Sequence, residues 1–218
     1  GTDATARIIG QALAEQMGQQ VVVDSRGGAS GRIGTELAAK SPPDGYTLVL
    51  GNVAPLAILP GSGLKLAYDP VRDFSPVSLI ATSDYVLTVH PSLPATSVKQ
   101  LIALAKAKPG ELTYASSGIL GGPHLAGELI NLLAGVKLVH IPYKGNGPAA
   151  IAIMTGEATM MFGSGPSIVP HTKTGKLRAL ATTGRKRSMQ ELPAMNELLP
   201  GYEVTQWYGI LAPAGTPR

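Results

Sequence analysis

Apolar residues in the first fifty positions of the chain follow helical and strand spacings in turn. Ile9, Leu13 and Met17 recur every fourth residue, which is the spacing of one face of an amphipathic helix. Asp3 before this segment predicts an N-cap, and Gly18 after it predicts the end of the helix. The elements predicted here are a helix over 4–17, a strand over 21–23, a helix around 33–38 and a strand over 46–50.

The middle of the chain is less regular, because prolines and glycines interrupt residues 51–76. Beyond this segment, apolar runs predict strands over 77–81 and 85–89. Apolar residues at helical spacing then predict a helix over 97–106. Helices and strands alternate along the chain, which predicts an α/β fold.

From Leu112 on, the chain repeats one pattern three times. A short β-rich run is followed by a turn of glycine and small polar residues, a proline, and a helical segment. The repeats are 112–133, 138–154 and 160–171, and a fainter copy lies at 48–55. Proline is expected at the first helical position, because it lacks an N–H that the helix start could not satisfy.

This repeat predicts a binding site for anions. A helix start has N–H groups without partners in the helix and carries roughly half a positive charge, so it attracts carboxylates and phosphates. In an open parallel sheet these turns all lie at the carboxyl ends of strands. We therefore expect several anion-binding turns to converge on one cleft.

Polar residues at these turns have two alternative roles. Ser116 and Ser117 either cap the next helix or, beside Gly118, bind a carboxylate. Asn52 and Ser164 stand at equivalent strand ends and have the same two alternatives.

The sequence leaves both a structural and a binding role open for four further residues. Asp3 either only caps its helix or faces the ligand, where it would accept hydrogen bonds from ligand donors and repel surplus carboxylates. Lys144 is either a solvated cation or a long-range attractor for an anion. Trp207 and its neighbour Tyr208 belong either to the core or to a wall of the cleft.

Composition narrows the possible partners. The 218 residues include 27 glycines, 18 prolines and no cysteine, which excludes disulfides and thiol chemistry. The net charge is +4, but basic residues are dispersed and aromatic residues make up 5%, so no nucleic-acid partner is predicted. No apolar run approaches the roughly 18–20 residues that span a bilayer, so no membrane insertion is predicted.

Motifs for catalysis and cofactors are weak. Residues 145–150 match the glycine pattern of dinucleotide-binding loops, but no acidic residue follows the next strand to hold the ribose. The four histidines stand on different predicted elements without metal-ligand spacing. We predict no cofactor, no metal and no catalytic residue. A small α/β hydrolase or transferase, with helix starts as its oxyanion hole, is the enzymatic alternative.

Motifs along the whole chain carry a resemblance to a known family. They are DSR at 24–26, DGYTL at 44–48, YDPVRDF at 68–74, YASSG at 114–118, PHLAGE at 123–128, HIPYKG at 140–145, GKLRAL at 175–180 and APAGTP at 212–217. With these motifs the chain resembles the tripartite tricarboxylate transporter substrate-binding proteins, also called Bug-type periplasmic solute receptors.

The resemblance implies a type II periplasmic-binding-protein-like α/β fold with a ligand cleft between two α/β lobes. It implies an incomplete first lobe of residues 1–92 with 203–218, and a second lobe of residues 93–202. The implied protein is an exported, monomeric periplasmic receptor and not an enzyme. It would capture a small organic acid (a di- or tricarboxylate, an aromatic acid or an acidic amino acid) and deliver it to membrane transporter subunits. A sensor that signals to a partner protein is the alternative.

The resemblance also assigns ligand-binding positions. They are Thr2, Asp3, Asn52, Ser116, Ser117, Gly118, Gly145, Asn146, Gly147 and Ser164. Relative to the family, a strand and a glycine-rich turn before Gly1 and further structure after Arg218 are missing, as is a signal peptide. We therefore expect a chain truncated at both ends. Asn52 replaces a more usual threonine or serine, which bears on ligand identity, and Gly27 replaces a usual proline.

Overall fold

The computed structural model describes residues 1–217, which form two compact units. Unit 1 contains Gly1–Thr82 and the segment from Trp207 on, and unit 2 contains Ser83–Gln206. The chain therefore passes from one unit to the other twice, after Thr82 and after Gln206.

Helices and strands alternate through most of the chain. In order they are α1 (Thr2–Met17), α2 (Arg32–Ala39), β1 (Val49–Asn52), α3 (Leu59–Gly61), β2 (Phe74–Val89), α4 (Val98–Ala107), β3 (Thr113–Ser116), α5 (Gly122–Ala134), β4 (Val139–Pro142), α6 (Asn146–Met154), β5 (Met160–Ser164), α7 (Gly165–Lys173), β6 (Arg178–Thr182), α8 (Met195–Leu198) and β7 (Thr205–Pro213). A 3-10 turn (Ala29–Gly31) precedes α2, and a π-helical turn (Ala54–Ile58) precedes α3.

Unit 1 differs from the sequence prediction at two places. Residues 21–23 form no strand, because Val21 and Val23 lie against Gly10 of α1 rather than beside a partner strand. The N-cap of α1 is Gly1, and Asp3 lies within the first turn of the helix. The predicted capping role of Asp3 is therefore wrong.

The two strands predicted over 77–81 and 85–89 are one long strand, β2. The polar residues 82–84 interrupt the apolar pattern but not the extended backbone. The first half of β2 belongs to unit 1 and the second half to unit 2.

The prolines of the three repeats stand slightly deeper in their helices than predicted. Pro123 and Pro166 occupy the second helical position of α5 and α7, and Pro148 occupies the third position of α6. The prediction of the first position is wrong, but its physical reason holds. N–H groups throughout the first turn lack partners in the helix, so proline costs no hydrogen bond there.

Unit 1 has a small core. Strand β1 pairs antiparallel with β7, and β7 lies between β1 and β2. The buried cluster consists of Ala38, Tyr68 and Phe74, and the two aromatic rings meet edge to face with centroids 6.3 Å apart. The Tyr68 hydroxyl donates to the Pro55 carbonyl at 2.6 Å.

Unit 2 is a mixed sheet with helices. Strand β3 lies between β4 and β5 and is parallel to both, whereas β2 is antiparallel to β5 and to β6. The expected parallel arrangement therefore holds for β3, β4 and β5 only.

Side chains alternate across this sheet, so it has a core on each face. Along β2, Tyr85, Leu87 and Val89 join one buried cluster and Val86 joins the other. Because β3, β4 and β5 are parallel, their carboxyl ends lie at one edge of the sheet, and α5, α6 and α7 begin there.

Candidate functional site

The turn between β3 and α5 is folded around one buried hydroxyl. Ser116 is 0% exposed, and its Oγ accepts a hydrogen bond from the Gly118 N–H at 3.1 Å. Gly118 has a φ of 140°, and Leu120 has a φ of 59°, which is the left-handed region. The N-cap of α5 is Gly121, so neither serine caps this helix.

Tyr85 packs against the first residue of α5. A Cβ on Gly122, the first residue of the helix, would overlap the Tyr85 ring and hydroxyl, so only glycine fits there. The Tyr85 hydroxyl donates to Oε1 of Gln206. This packing fixes where α5 begins.

The turn between β4 and α6 is the most open of the three. Gly145 is the N-cap of α6 with a φ of 115°, and Gly147 is exposed. Asn146 begins the helix, and its Oδ1 is buried without a hydrogen-bond partner among the described residues. The Tyr143 N–H donates to the Ser116 carbonyl at 2.9 Å, which ties this turn to the β3–α5 turn.

The turn between β5 and α7 places a serine at the helix start. Ser164 is the N-cap of α7 and is 1% exposed. Its Oγ lies 2.8 Å from Oγ of Ser167, which donates in turn to the Ser164 carbonyl at 2.9 Å. Ser167 is not among the site residues predicted from the sequence, and no sequence signal marks it.

Three helix starts therefore lie at one edge of the sheet of unit 2. The seven candidate residues on these turns carry no charge. They offer backbone N–H groups, hydroxyls and one amide, together with the positive ends of three helices. Such a set suits an anion, and exposed Lys144 adds a positive charge beside it.

The candidate residues of unit 1 also lie close together. Asn52, at the end of β1, donates from Nδ2 to Oγ1 of Thr2 at 3.1 Å. Its Oδ1 accepts the Ala54 N–H at 3.0 Å and so holds the turn after β1. Asn52 thus links the end of β1 to the first turn of α1.

Asp3 is an exposed, ionised carboxylate at the start of α1. Ser25 donates to its Oδ1, and Nε of Arg7 donates to its Oδ2 at 3.1 Å. These hydrogen bonds lower the pKa of Asp3 below its ordinary value. Asp3 therefore offers acceptors to a ligand, in contrast to the donors of unit 2.

Two histidines separated by sixteen residues meet below the β3–α5 turn. The rings of His124 and His140 have centroids 4.2 Å apart, and the Tyr114 ring stacks on His140 at 4.9 Å. The sequence places these histidines on different predicted elements without metal-ligand spacing. The parallel pairing of β3 with β4, which sets Tyr114 beside His140, is the signal that could have found them.

Both imidazoles are neutral at neutral pH. Burial, followed by the neighbouring His124, lowers the pKa of His140 to about 4, against an opposing effect of Glu128. Burial also lowers the pKa of His124. Burial and the Glu128 carboxylate raise the pKa of Tyr114.

Within residues 1–217, no group of three or more His, Asp and Glu side chains could hold a metal ion. None of the helices in this part of the chain is long and apolar enough to cross a membrane.

Comparison with known proteins identifies relatives along the whole chain. A family model described as "Tripartite tricarboxylate transporter family receptor" matches residues 5–218. A protein from Pseudomonas sp. strain P51, encoded in the tcbD-tcbE intergenic region, is 40% identical over 220 residues, which cover 99% of this chain and 65% of the relative. The chain thus spans about two thirds of that curated relative.

Solved structures share the fold. R. palustris Rpa4515 with adipate superposes with a TM-score of 0.94 at 38% identity and covers 99% of this chain and 73% of its own. MatC from Rhodopseudomonas palustris, with bound malate, superposes with a TM-score of 0.91 at 29% identity and covers 100% of this chain and 75% of its own. The mixed α/β fold is therefore that of periplasmic solute-binding proteins.

Proposed function

Because the chain belongs to the tripartite tricarboxylate transporter receptor family, we propose that it binds a small organic dicarboxylate and delivers it to a membrane transporter in the periplasm. The family consists of periplasmic receptors rather than enzymes, which removes the hydrolase or transferase alternative. The dicarboxylate class is suggested by the adipate and malate of two structural neighbours.

The observation that carries this proposal is the meeting of three helix starts at one sheet edge of unit 2. Ser117, the backbone of Gly145 to Gly147, and Ser164 with its helix start would hold one carboxylate. Oδ1 of Asn146 is an acceptor without a partner among residues 1–217, so a bound water would satisfy it and bridge to the ligand. Ser116 and Gly118, both buried, would shape this site from beneath.

Unit 1 presents polar groups of its own. Thr2 and Asn52 offer uncharged polar groups, whereas Asp3 offers an ionised carboxylate. These three residues remain proposed ligand-binding positions, where Asp3 would accept hydrogen bonds from hydroxyl or ammonium donors.

Isothermal titration calorimetry of the chain with malate, aspartate, adipate, citrate and benzoate tests the carboxylate proposal. We expect saturable binding of at least one dicarboxylate and none of its dimethyl ester, which keeps the shape but lacks the charge. Equal binding of the ester would overturn the proposal, because the helix starts would then not be recognising an anion.

Delivery to a transporter needs a separate test. A carboxylate-bound receptor that delivers cargo should bind the membrane subunits of its transporter more tightly than the ligand-free form. Pull-down of detergent-solubilised subunits with and without malate measures this difference. A ligand-dependent complex with a signalling protein instead would favour the sensor alternative.

A further inference from the structure

The two half-buried histidines at the β3–α5 turn form hydrogen bonds as well as ring contacts. We propose that His140 and His124 are positioning residues that hold this turn in its ligand-binding shape, an inference that rests on the carboxylate-binding function proposed above. The proposal does not require either imidazole to contact the ligand. Each one instead bonds to a group that fixes the backbone of the turn.

His140 holds the first half of the turn through Ser116. Nε2 of His140 lies 2.6 Å from Oγ of Ser116, and that hydroxyl accepts the Gly118 N–H at 3.1 Å. The Gly118 carbonyl lies 3.1 Å from the same hydroxyl. Because Ser116 is fully buried, its hydroxyl is committed to these partners beneath the turn.

His124 holds the second half of the turn. Its Nδ1 accepts the N–H of Leu120 at 3.2 Å. Leu120 has a φ of 59°, a left-handed conformation that a leucine adopts only when its surroundings impose it. The hydrogen bond to His124 is a restraint of this kind.

The two restraints are coupled because the imidazoles are in contact. Their centroids are 4.2 Å apart, and the Tyr114 ring covers the other side of His140 at 4.9 Å. The Tyr114 hydroxyl donates to Oε1 of Glu128 at 2.5 Å. The titratable groups around His140 are thus Tyr114 from β3, and His124 and Glu128 from α5, of which only Glu128 favours a proton on His140.

Protonation would release the turn. Nδ1 of His124 can accept the Leu120 N–H only while it carries no proton. A proton on either ring also places a positive charge against its partner at van der Waals distance, which the burial of the pair opposes. The turn is therefore expected to hold its shape at neutral pH and to loosen as both histidines titrate in acid.

Variants of His140 separate positioning from packing. His140→Leu keeps the volume but cannot bond to Ser116, and we expect it to bind malate or adipate at least tenfold more weakly at pH 7. His140→Gln can place its amide near the position of Nε2, and it should stay within about threefold of the unaltered chain. His171→Leu, a matched change in α7, should leave affinity unchanged. Equal weakening by the leucine and glutamine variants would overturn the proposal.

The pH profile provides a readout that packing alone would not move. Between pH 7 and pH 4, the unaltered chain should lose about twofold more affinity than His140→Gln, because a group with a pKa of about 4 is half protonated at pH 4. The ligand's own protonation affects both proteins equally and cancels in this comparison. Parallel profiles would contradict a positioning role for the imidazole.

Amide hydrogen exchange tests the positioning role without any ligand. In His140→Leu the N–H of Gly118 should exchange at least tenfold faster than in the unaltered chain, whereas the N–H of Leu180 in β6 should keep its rate. Failure of every carboxylate to bind would refute the proposed function, and this measurement would still decide whether the histidine holds the turn. Unchanged exchange at Gly118 would refute the positioning role even if malate binds.

Discussion

The two units of the chain are supported very differently. The larger buried cluster of unit 2 has 18 residues, including Tyr85, Tyr114 and Tyr202, whereas the cluster of unit 1 has three. Unit 1 also exposes large apolar side chains, with Tyr46 at 94% and Val71 at 85% exposure. The turns proposed to hold the carboxylate therefore lie on a well-packed core, whereas the candidate residues of unit 1 lie on a small one.

Rigid elements hold a binding geometry more accurately than loosely supported ones, so unit 2 is suited to anchoring an anion. In unit 1, the hydrogen bond from Asn52 to Thr2 joins the end of β1 to the first turn of α1. We expect substitutions in unit 2 to cost more stability than matched substitutions in unit 1.

The largest expected effect is a cavity in the core of unit 2. Phe162→Ala removes a ring that is 0% exposed, and we expect it to lower the free energy of unfolding by about 3–5 kcal/mol. Phe74→Ala in unit 1 should cost about 2 kcal/mol, because its sparse surroundings can collapse around the vacancy. Urea unfolding followed by circular dichroism measures both. Equal losses would abolish the contrast between the units.

The next effect concerns the start of α5. Gly122→Ala forces a Cβ into the buried Tyr85 ring, and we expect a loss of about 2–3 kcal/mol in unfolding free energy. Gly165→Ala is the matched control, since it also begins a helix but its Cβ would meet open space. The control should be neutral or slightly stabilising. If both variants unfold alike, the Tyr85 contact does not fix the helix start.

Acid should weaken unit 2 through His140. Its folded-state pKa of about 4 lies below the ordinary 6.5, so the unfolded chain binds a proton that the folded chain excludes. The stabilisation is complete above about pH 6.5 and is lost as the pH falls towards 4. The shift corresponds to about 3 kcal/mol, and solvent screening of the partly open rings should reduce this to about 1.5 kcal/mol.

Unfolding measured at several pH values compares the unaltered chain with His140→Gln. The glutamine variant should lose about 1.5 kcal/mol less between pH 6.5 and pH 4. A variant that weakens as steeply as the unaltered chain would mean that other groups carry the acid sensitivity.

The smallest effect tests the link within unit 1. Thr2→Val removes the acceptor for Nδ2 of Asn52, and we expect a loss of about 0.5–1 kcal/mol in unfolding free energy. Thr155→Val in unit 2 removes a hydroxyl that bonds back to the Ile151 and Ala152 carbonyls of the preceding helix, so it should change stability by less than about 0.5 kcal/mol. A larger loss at Thr155 than at Thr2 would argue against the proposed importance of the link.

Local patterns in the sequence predicted much of the fold. The repeated strand, small-residue turn and proline located β3, β4 and β5 and the helices after them, because each signal lies within a few residues. The apolar run from Val21 to Val23 led to a wrong prediction of a strand, because a local pattern does not show what the side chains pack against. A short apolar run is expected both where side chains pack against a helix, as these do at Gly10, and where a strand pairs in a sheet.

Local sequence patterns could not predict the side-chain contacts inside the candidate site. The sequence gives no sign that the Ser116 hydroxyl turns inward, because that depends on His140 from the adjacent strand. The meeting of His124 with His140 likewise depends on the pairing of β3 with β4. Contacts that are distant in sequence follow from topology, which periodicity alone does not determine.

The return of the chain from unit 2 to unit 1 falls between Gln206 and Trp207, in strand β7. Trp207 is the one tryptophan among the 218 residues. In optical terms the molecule carries a single tryptophan fluorophore at its second crossing point, which can be excited apart from its seven tyrosines. Its emission therefore reports on one defined place, and ligand titrations can be followed there without attaching a dye or introducing a cysteine.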